Sequence, residues 1–125
     1  MSIEIFLGTG IAVLVFVIFL IAGLISYCFP SKNINSYYGY RTPRSQKNQT
    51  NWDFAQKMSG KVVIVFAFIQ LILLSLLSLI LIHFQIAIDS IIPFQMILMV
   101  MLAIVMLIIC ERKLENFDKV NTIPL

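Results

Sequence analysis

The sequence predicts an all-α membrane protein with three transmembrane helices, and a structured cytoplasmic loop and short interfacial helix between helices 1 and 2. Three observations carry that reading. The 125 residues are 60% apolar and only 12% charged, with a mean hydropathy of +0.97, whereas soluble domains are about half apolar and about a quarter charged. Three long runs contain no charged residue, and every Lys and Arg falls on one side of the pattern those runs create.

The charge-free runs cover residues 5–29, 62–82 and 90–110. A helix rises about 1.5 Å per residue and the hydrocarbon layer is about 30 Å thick, so roughly 20 apolar residues cross it. A barrel would need many short alternating segments, and these runs are long and continuous. The first run is expected to remain as a permanent helix rather than a cleaved signal. Residues 1–4 include an acid and no basic residue, the apolar stretch exceeds a signal core, and no small-x-small cleavage site follows Phe29. The expected organisation is a single membrane domain over 1–125, with spans at about 5–29, 62–83 and 91–110. A loop over 30–61 would hold an interfacial helix over about 48–59, and a tail would follow over 111–125.

Orientation follows from the basic residues, which resist translocation and are drawn to the anionic cytoplasmic leaflet. Lys32, Arg41, Arg44, Lys47, Lys57 and Lys61 lie between the first two spans, and Arg112, Lys113 and Lys119 follow the third. The expectation is a multi-pass protein of the cell membrane, amino terminus outside and carboxyl terminus cytoplasmic. The short connection over 83–89 makes the second and third helices antiparallel neighbours, with Pro93 in the first turn of the third and Asp89 or Ser90 as its cap. Cys28 and Cys110 fall near the reducing cytoplasm and read as small apolar residues. The net charge of +3 does not indicate nucleic-acid binding, because the basic residues flank the spans rather than form a separate domain.

Within the spans, Gln70, Ser75 and Ser78 are the polar residues well inside the membrane, with Thr9 and Gln95 nearer its outer edge. They are expected to bond helix to helix. Gly8 and Ala12, then Ala22 and Ser26, repeat every four residues and would let another backbone approach the first helix. His83 reads as an interfacial residue, and Met96, Met99, Met101 and Met106 as adaptable filler. The pattern contains no metal-ligand cluster, phosphate-cradling glycine loop or Ser/His/Asp constellation, so no enzyme, cofactor or metal is expected.

The informative segment is the loop. Tyr37, Tyr38, Gly39, Tyr40, Arg41, Thr42, Pro43, Arg44 and Ser45 form one unbroken run, and Tyr27 and Trp52 place every remaining Tyr and the sole Trp beside it. An aromatic belt normally marks both interfaces, so the one-sidedness points to a structured element held against the headgroups. Gly39 permits a turn and Pro43 restrains Thr42 to extended geometry. Arg41 and Arg44 flank that turn. They could grip a phosphate or carboxylate in two-pronged fashion while stacking on a tyrosine, or they could only secure orientation, at about 1 kcal/mol each. Residues 48–59 read as helical, with Thr50 and Asp53 as a capping box or Asn48 as an alternative cap, and with Trp52, Ala55 and Ser59 on one face. Gly60 is then expected to bend the chain from the interface into the second span.

The run from Tyr38 to Ser45, followed by Lys47, Asn48, Trp52, Ala55, Gly60 and Lys61, resembles the signature of the SdpI family of bacterial membrane proteins. Phe117, Asp118 and Lys119 resemble its tail, while Val120, Asn121 and Thr122 stand where that family often has an Asp-Gly pair. The likeness spans about residues 10–121 and fits a short form holding the shared three-helix region. It implies immunity against a membrane-active peptide toxin and, for the namesake, signalling by holding a cytoplasmic repressor at the membrane. The expected partner site comprises Tyr38, Gly39, Tyr40, Arg41, Thr42, Pro43, Arg44 and Trp52, with Arg41 gripping and Tyr38 and Tyr40 stacking. Two other classes remain open: a small transporter or lipid-handling protein using the same arginines, and an accessory subunit working through its first and third helices.

Overall fold

The computed structural model of the chain describes residues 2–86 and 88–122. Three helices account for most of them: α1 over Ser2–Cys28, α2 over Gln49–His83 and α3 over Ile88–Thr122. No strand occurs among the described residues, and all three helices are long and apolar enough to cross a membrane. Only 11%, 28% and 6% of their most apolar windows are buried. Most of their Leu, Ile, Val and Phe side chains therefore face outward, which is stable where the solvent is lipid.

The expected interfacial helix is not a separate element. It is the first part of α2, which runs without interruption through Gly60 and Lys61. The reason lies in the packing at Gly60. A Cβ there would stand 2.7 Å from the backbone nitrogen of Tyr27 and 2.9 Å from its Cα. Gly60 is thus where α1 crosses against α2, and its missing side chain serves that approach rather than a bend. Gly23 does the same from the other helix, since a Cβ there would meet Ile64 Cγ1 at 2.8 Å and Ile64 N at 3.0 Å.

Gly8 and Ala12 are buried as the small-residue stripe predicts, but Ala22 is exposed and Ser26 only half-buried. Gly23 stands eleven residues after Ala12, almost a whole number of turns at about 3.6 residues each, so it stays in line with Ala12 while Ala22 swings off the face. Farther along the same seam, Phe16 meets Phe68 edge-on with ring centroids 5.1 Å apart.

At the end away from the loop, the side-chain amide of Gln95 on α3 donates to Gly8 O on α1 at 3.1 Å and to Ser78 Oγ on α2 at 2.6 Å. One buried side chain therefore joins all three helices, as the helix-to-helix reading anticipates for Gln95 and Ser78. The Oε1 atoms of Gln70 and Gln95 are buried without a hydrogen-bond partner among the described residues. The α2–α3 connection closes on Gln85 at φ +55°, with Ile86 N bonded to Leu81 O at 3.0 Å. Since α3 begins at Ile88, Pro93 lies within the helix beyond its first turn, and neither Asp89 nor Ser90 stands before the helix as a cap. The side chains of Asp89 and Ser90 lie outside the described residues.

The packed core sits at the opposite, lysine- and arginine-rich end. Ala55, Met58, Val62 and Phe66 of α2 close on Cys110 and Leu114 of α3, with Tyr40 from the loop laid against them. Helix α3 does not stop where its apolar run stops. It continues through Glu111 to Thr122, and these last turns dock the loop.

Candidate functional site

The loop over 30–48 is fixed at nearly every step by side chains bonding backbone. Asn35 Oδ1 accepts from the N–H groups of Tyr37 at 2.9 Å and Tyr38 at 2.8 Å. Gly39 follows at φ +107°, a left-handed conformation that side-chain-bearing residues resist. Its open side is filled by the Gln56 carboxamide, whose Cδ lies 2.9 Å from where a Cβ would stand. Gln56, itself buried, reads the Tyr40 backbone at two points: Oε1 accepts from Tyr40 N at 2.8 Å and Nε2 donates to Tyr40 O at 2.9 Å. Ser45 is fully buried and closes the turn, its Oγ accepting from Thr42 N at 2.8 Å and lying 3.0 Å from Tyr40 O.

Trp52 anchors the loop from below. It is wholly buried, and its indole N–H donates to Ser31 O at 2.8 Å. Ala55 and Ser59 are buried on the same face, as their spacing predicts, and Asn48 caps α2 by accepting from Asn51 N at 2.7 Å. The alternative cap is thus the one used.

A second set of contacts ties this turn to the end of α3. Glu111, Glu115 and Asp118 recur on one helical face, and each meets a loop residue. Tyr40 OH donates to Glu111 Oε1 at 2.8 Å. Burial, reinforced by that carboxylate, raises the Tyr40 phenol above its ordinary range and keeps it a donor. Arg44 Nη1 stands 3.5 Å from Glu111 Oε2 and 3.7 Å from Glu115 Oε2. Lys47 pairs with Asp118 at 2.9 Å, and Asn51 Nδ2 donates to the same carboxylate at 2.9 Å. Those two hydrogen bonds, Asn51 first, hold Asp118 below the usual carboxylate range. Phe54 and Phe117 stack in parallel beside them, with centroids 4.0 Å apart.

The predicted site residues therefore divide by direction. Tyr40, Thr42, Arg44 and Trp52 turn inward or toward α3 and build the turn, and Gly39 provides its backbone geometry. Tyr38, Arg41 and Pro43 are exposed on its surface, next to Tyr37 at 93% exposure. Arg41 Nη1 bonds the Ser36 carbonyl and pairs with no carboxylate among the described residues. Nor does Arg41 stack on a tyrosine: the cation–π contact seen among the described residues joins Lys61 to Tyr27 at 5.6 Å.

Residues 32–110 match the model of the SdpI/YfhL protein family. The chain belongs to that family. A relative from Bacillus subtilis (strain 168), uncharacterized protein YfhL, is 46% identical over 46 residues, which cover 37% of this chain and 42% of the relative. The match thus spans under half of that relative's length. No solved structure matches the chain.

Sequence reasoning missed two parts of this turn and its docking. Gln56 lies one turn after Trp52 on the buried face, a signal for a polar side chain serving the loop. The acidic row at Glu111, Glu115 and Asp118 has i, i+4, i+7 spacing opposite a basic loop. It also accounts for the resemblance at Phe117 and Asp118, both of which touch the loop or the start of α2.

Proposed function

We propose that this SdpI/YfhL chain is a non-enzymatic, immunity-type protein of the bacterial cell membrane, with its amino terminus outside and its basic end in the cytoplasm. The turn over 38–45 receives an anionic or peptide partner there, whether a membrane-active toxin or a cytoplasmic protein answering to it. Arg41 grips the partner, and Tyr38 and Pro43 frame it. Gly39, Tyr40, Thr42, Arg44 and Trp52 act as positioning residues that hold that face in shape.

One observation carries this reading: Arg41 projects from a turn whose neighbours are locked on both sides, yet its guanidinium engages only a backbone carbonyl among the described residues. An exposed cation on a rigid frame loses little entropy on capturing an anion. A loop that served orientation alone would not need so many bonds between side chain and backbone. Family membership supports the immunity reading, and the placement of all nine Lys and Arg at one end of the bundle supports the orientation.

The test is protection of a toxin-sensitive bacterial host. Arg41→Ala is expected to abolish protection while the protein still inserts at normal levels. Undiminished protection by that variant contradicts the assignment.

A further inference from the structure

Along α2, Lys57, Lys61, Val65 and Ile69 recur every four residues and so form one row, while Ile109 and Lys113 stand one turn apart on α3. The two rows face each other across an open cleft. Its inner part, about 370 Å³, is walled by Val62, Val65, Phe66, Ile69 and Ile109, with Lys61 and Lys113 at its rim. An adjoining part of about 390 Å³ adds Phe54, Met58 and Lys57, and shares Lys61, Val62 and Lys113 with the first. The cleft is therefore continuous, apolar toward the membrane interior and ringed by three ammonium groups where the apolar runs end.

We propose that this cleft is a binding site for an anionic phospholipid, one acyl chain lying along Val65, Phe66, Ile69 and Ile109 and the phosphate held by Lys57, Lys61 and Lys113. Charge complementarity selects that occupant. No carboxylate lines either part of the cleft. The acids of α3 face away from it: Glu111 and Glu115 are engaged with Arg44, and Asp118 with Lys47 and Asn51. None of the three lysines forms an ion pair among the described residues, and Lys61 is steadied by the Tyr27 ring instead. A zwitterionic lipid would bring its own cation among three lysines, whereas a phosphate with an uncharged headgroup meets three ammonium groups and no carboxylate in the lining of the cleft. The order of residues along both rows, lysine outside and aliphatic inside, matches the order of phosphate and chain in a leaflet. The site is distinct from the turn that carries Arg41, and it stands whether or not the chain confers protection.

The test uses the full chain in neutral detergent, titrated with phosphatidylglycerol or phosphatidylcholine and read by native mass spectrometry. Phosphatidylglycerol is expected to bind in preference, and Lys57→Gln, Lys61→Gln and Lys113→Gln each to weaken it about fivefold. A control removing three charges at the same end, more than any of those single variants, Lys32→Gln with Arg112→Gln and Lys119→Gln, is expected to retain binding within about twofold. Val65→Trp, at a position 55% exposed and so harmless to the core, is expected to fill the trough and exclude the lipid with all three lysines intact. Equal loss in the control would mean diffuse attraction to a basic surface. Full binding by Val65→Trp, or displacement by glycerol phosphate as readily as by intact lipid, would mean a headgroup contact without a chain site. Any of these overturns the proposal.

Discussion

Gly39 and Gln56 together set the shape of the turn, and neither can change alone. A methyl group at Gly39 would sit at φ +107° and run into the Gln56 carboxamide. Gly39→Ala is therefore expected to destabilise the turn by about 1–3 kcal/mol. Gln56→Leu keeps the volume but removes both of its bonds to the Tyr40 backbone, at a similar cost of about 1–3 kcal/mol, because the Tyr40 N–H is left without a bond in a partly buried place while the carbonyl keeps Ser45 Oγ. Both effects are read by amide exchange at Tyr40, which is expected to accelerate while exchange in the middle of α2 is unchanged. Gly39 is legible in the sequence because a glycine between two tyrosines has one evident use. Gln56 is not, because its partner lies sixteen residues earlier in the loop, and its place one turn after Trp52 marks the buried face without naming what it bonds.

At the scale of the element, α2 is a single rod of 35 residues, about 52 Å long at about 1.5 Å per residue, so it spans the hydrocarbon and projects well beyond it. The sequence marks the glycine at which a bend would be easiest, but a glycine that permits a bend also permits a close approach, and only the neighbour decides which occurs. Here the neighbour is the Tyr27 backbone. Gly60→Leu is accordingly expected to push α1 from α2 and lower stability by about 1–3 kcal/mol. Gly10→Leu, with nothing within 4 Å of the added Cβ, is expected to leave it nearly unchanged. Thermal unfolding in detergent separates the two.

The docking of the loop on α3 has its own pH signature. The Asp118 carboxyl is held below its ordinary value, so its contribution is fully present above the unfolded value of about 4 and is lost as pH falls through the folded value. Protection of the loop amides, taken relative to their intrinsic exchange at each pH, is expected to stay constant from about pH 5 to 8 and to fall only in stronger acid. Asp118→Asn, which removes the charge that Lys47 meets, is expected to lower that protection throughout the range.

At the scale of the whole molecule, the three helices were legible because lipid imposes a constraint that local sequence states openly: long stretches without charge. The antiparallel α2–α3 pair followed from the short connection between them. What composition could not state is how the two ends of the bundle are clamped. Gln95 bridges positions far apart in the chain to Gly8 and Ser78, and Arg44 reaches Glu111 and Glu115 across the whole of α2. Such pairings depend on which faces meet, and a one-dimensional pattern records faces only within one helix. The residues of the turn are legible as a group, and which of them face inward and which outward is not, for the same reason. A run of Tyr, Gly, Arg and Pro says that a turn is built, while the contacts of Gln56, Trp52 and the α3 carboxylates decide which side chains build it and which are left on its surface.

In the proposed orientation this surface faces the cytoplasm, with Tyr37, Tyr38 and Arg41 accessible upon it. Tyr37→Cys in a background of Cys28→Ser and Cys110→Ala places a thiol at the most exposed point of the turn. A membrane-impermeant maleimide is expected to leave that thiol unmodified in intact cells and to label it fully once the membrane is opened. Labelling in intact cells would put the turn on the outer face and contradict the account.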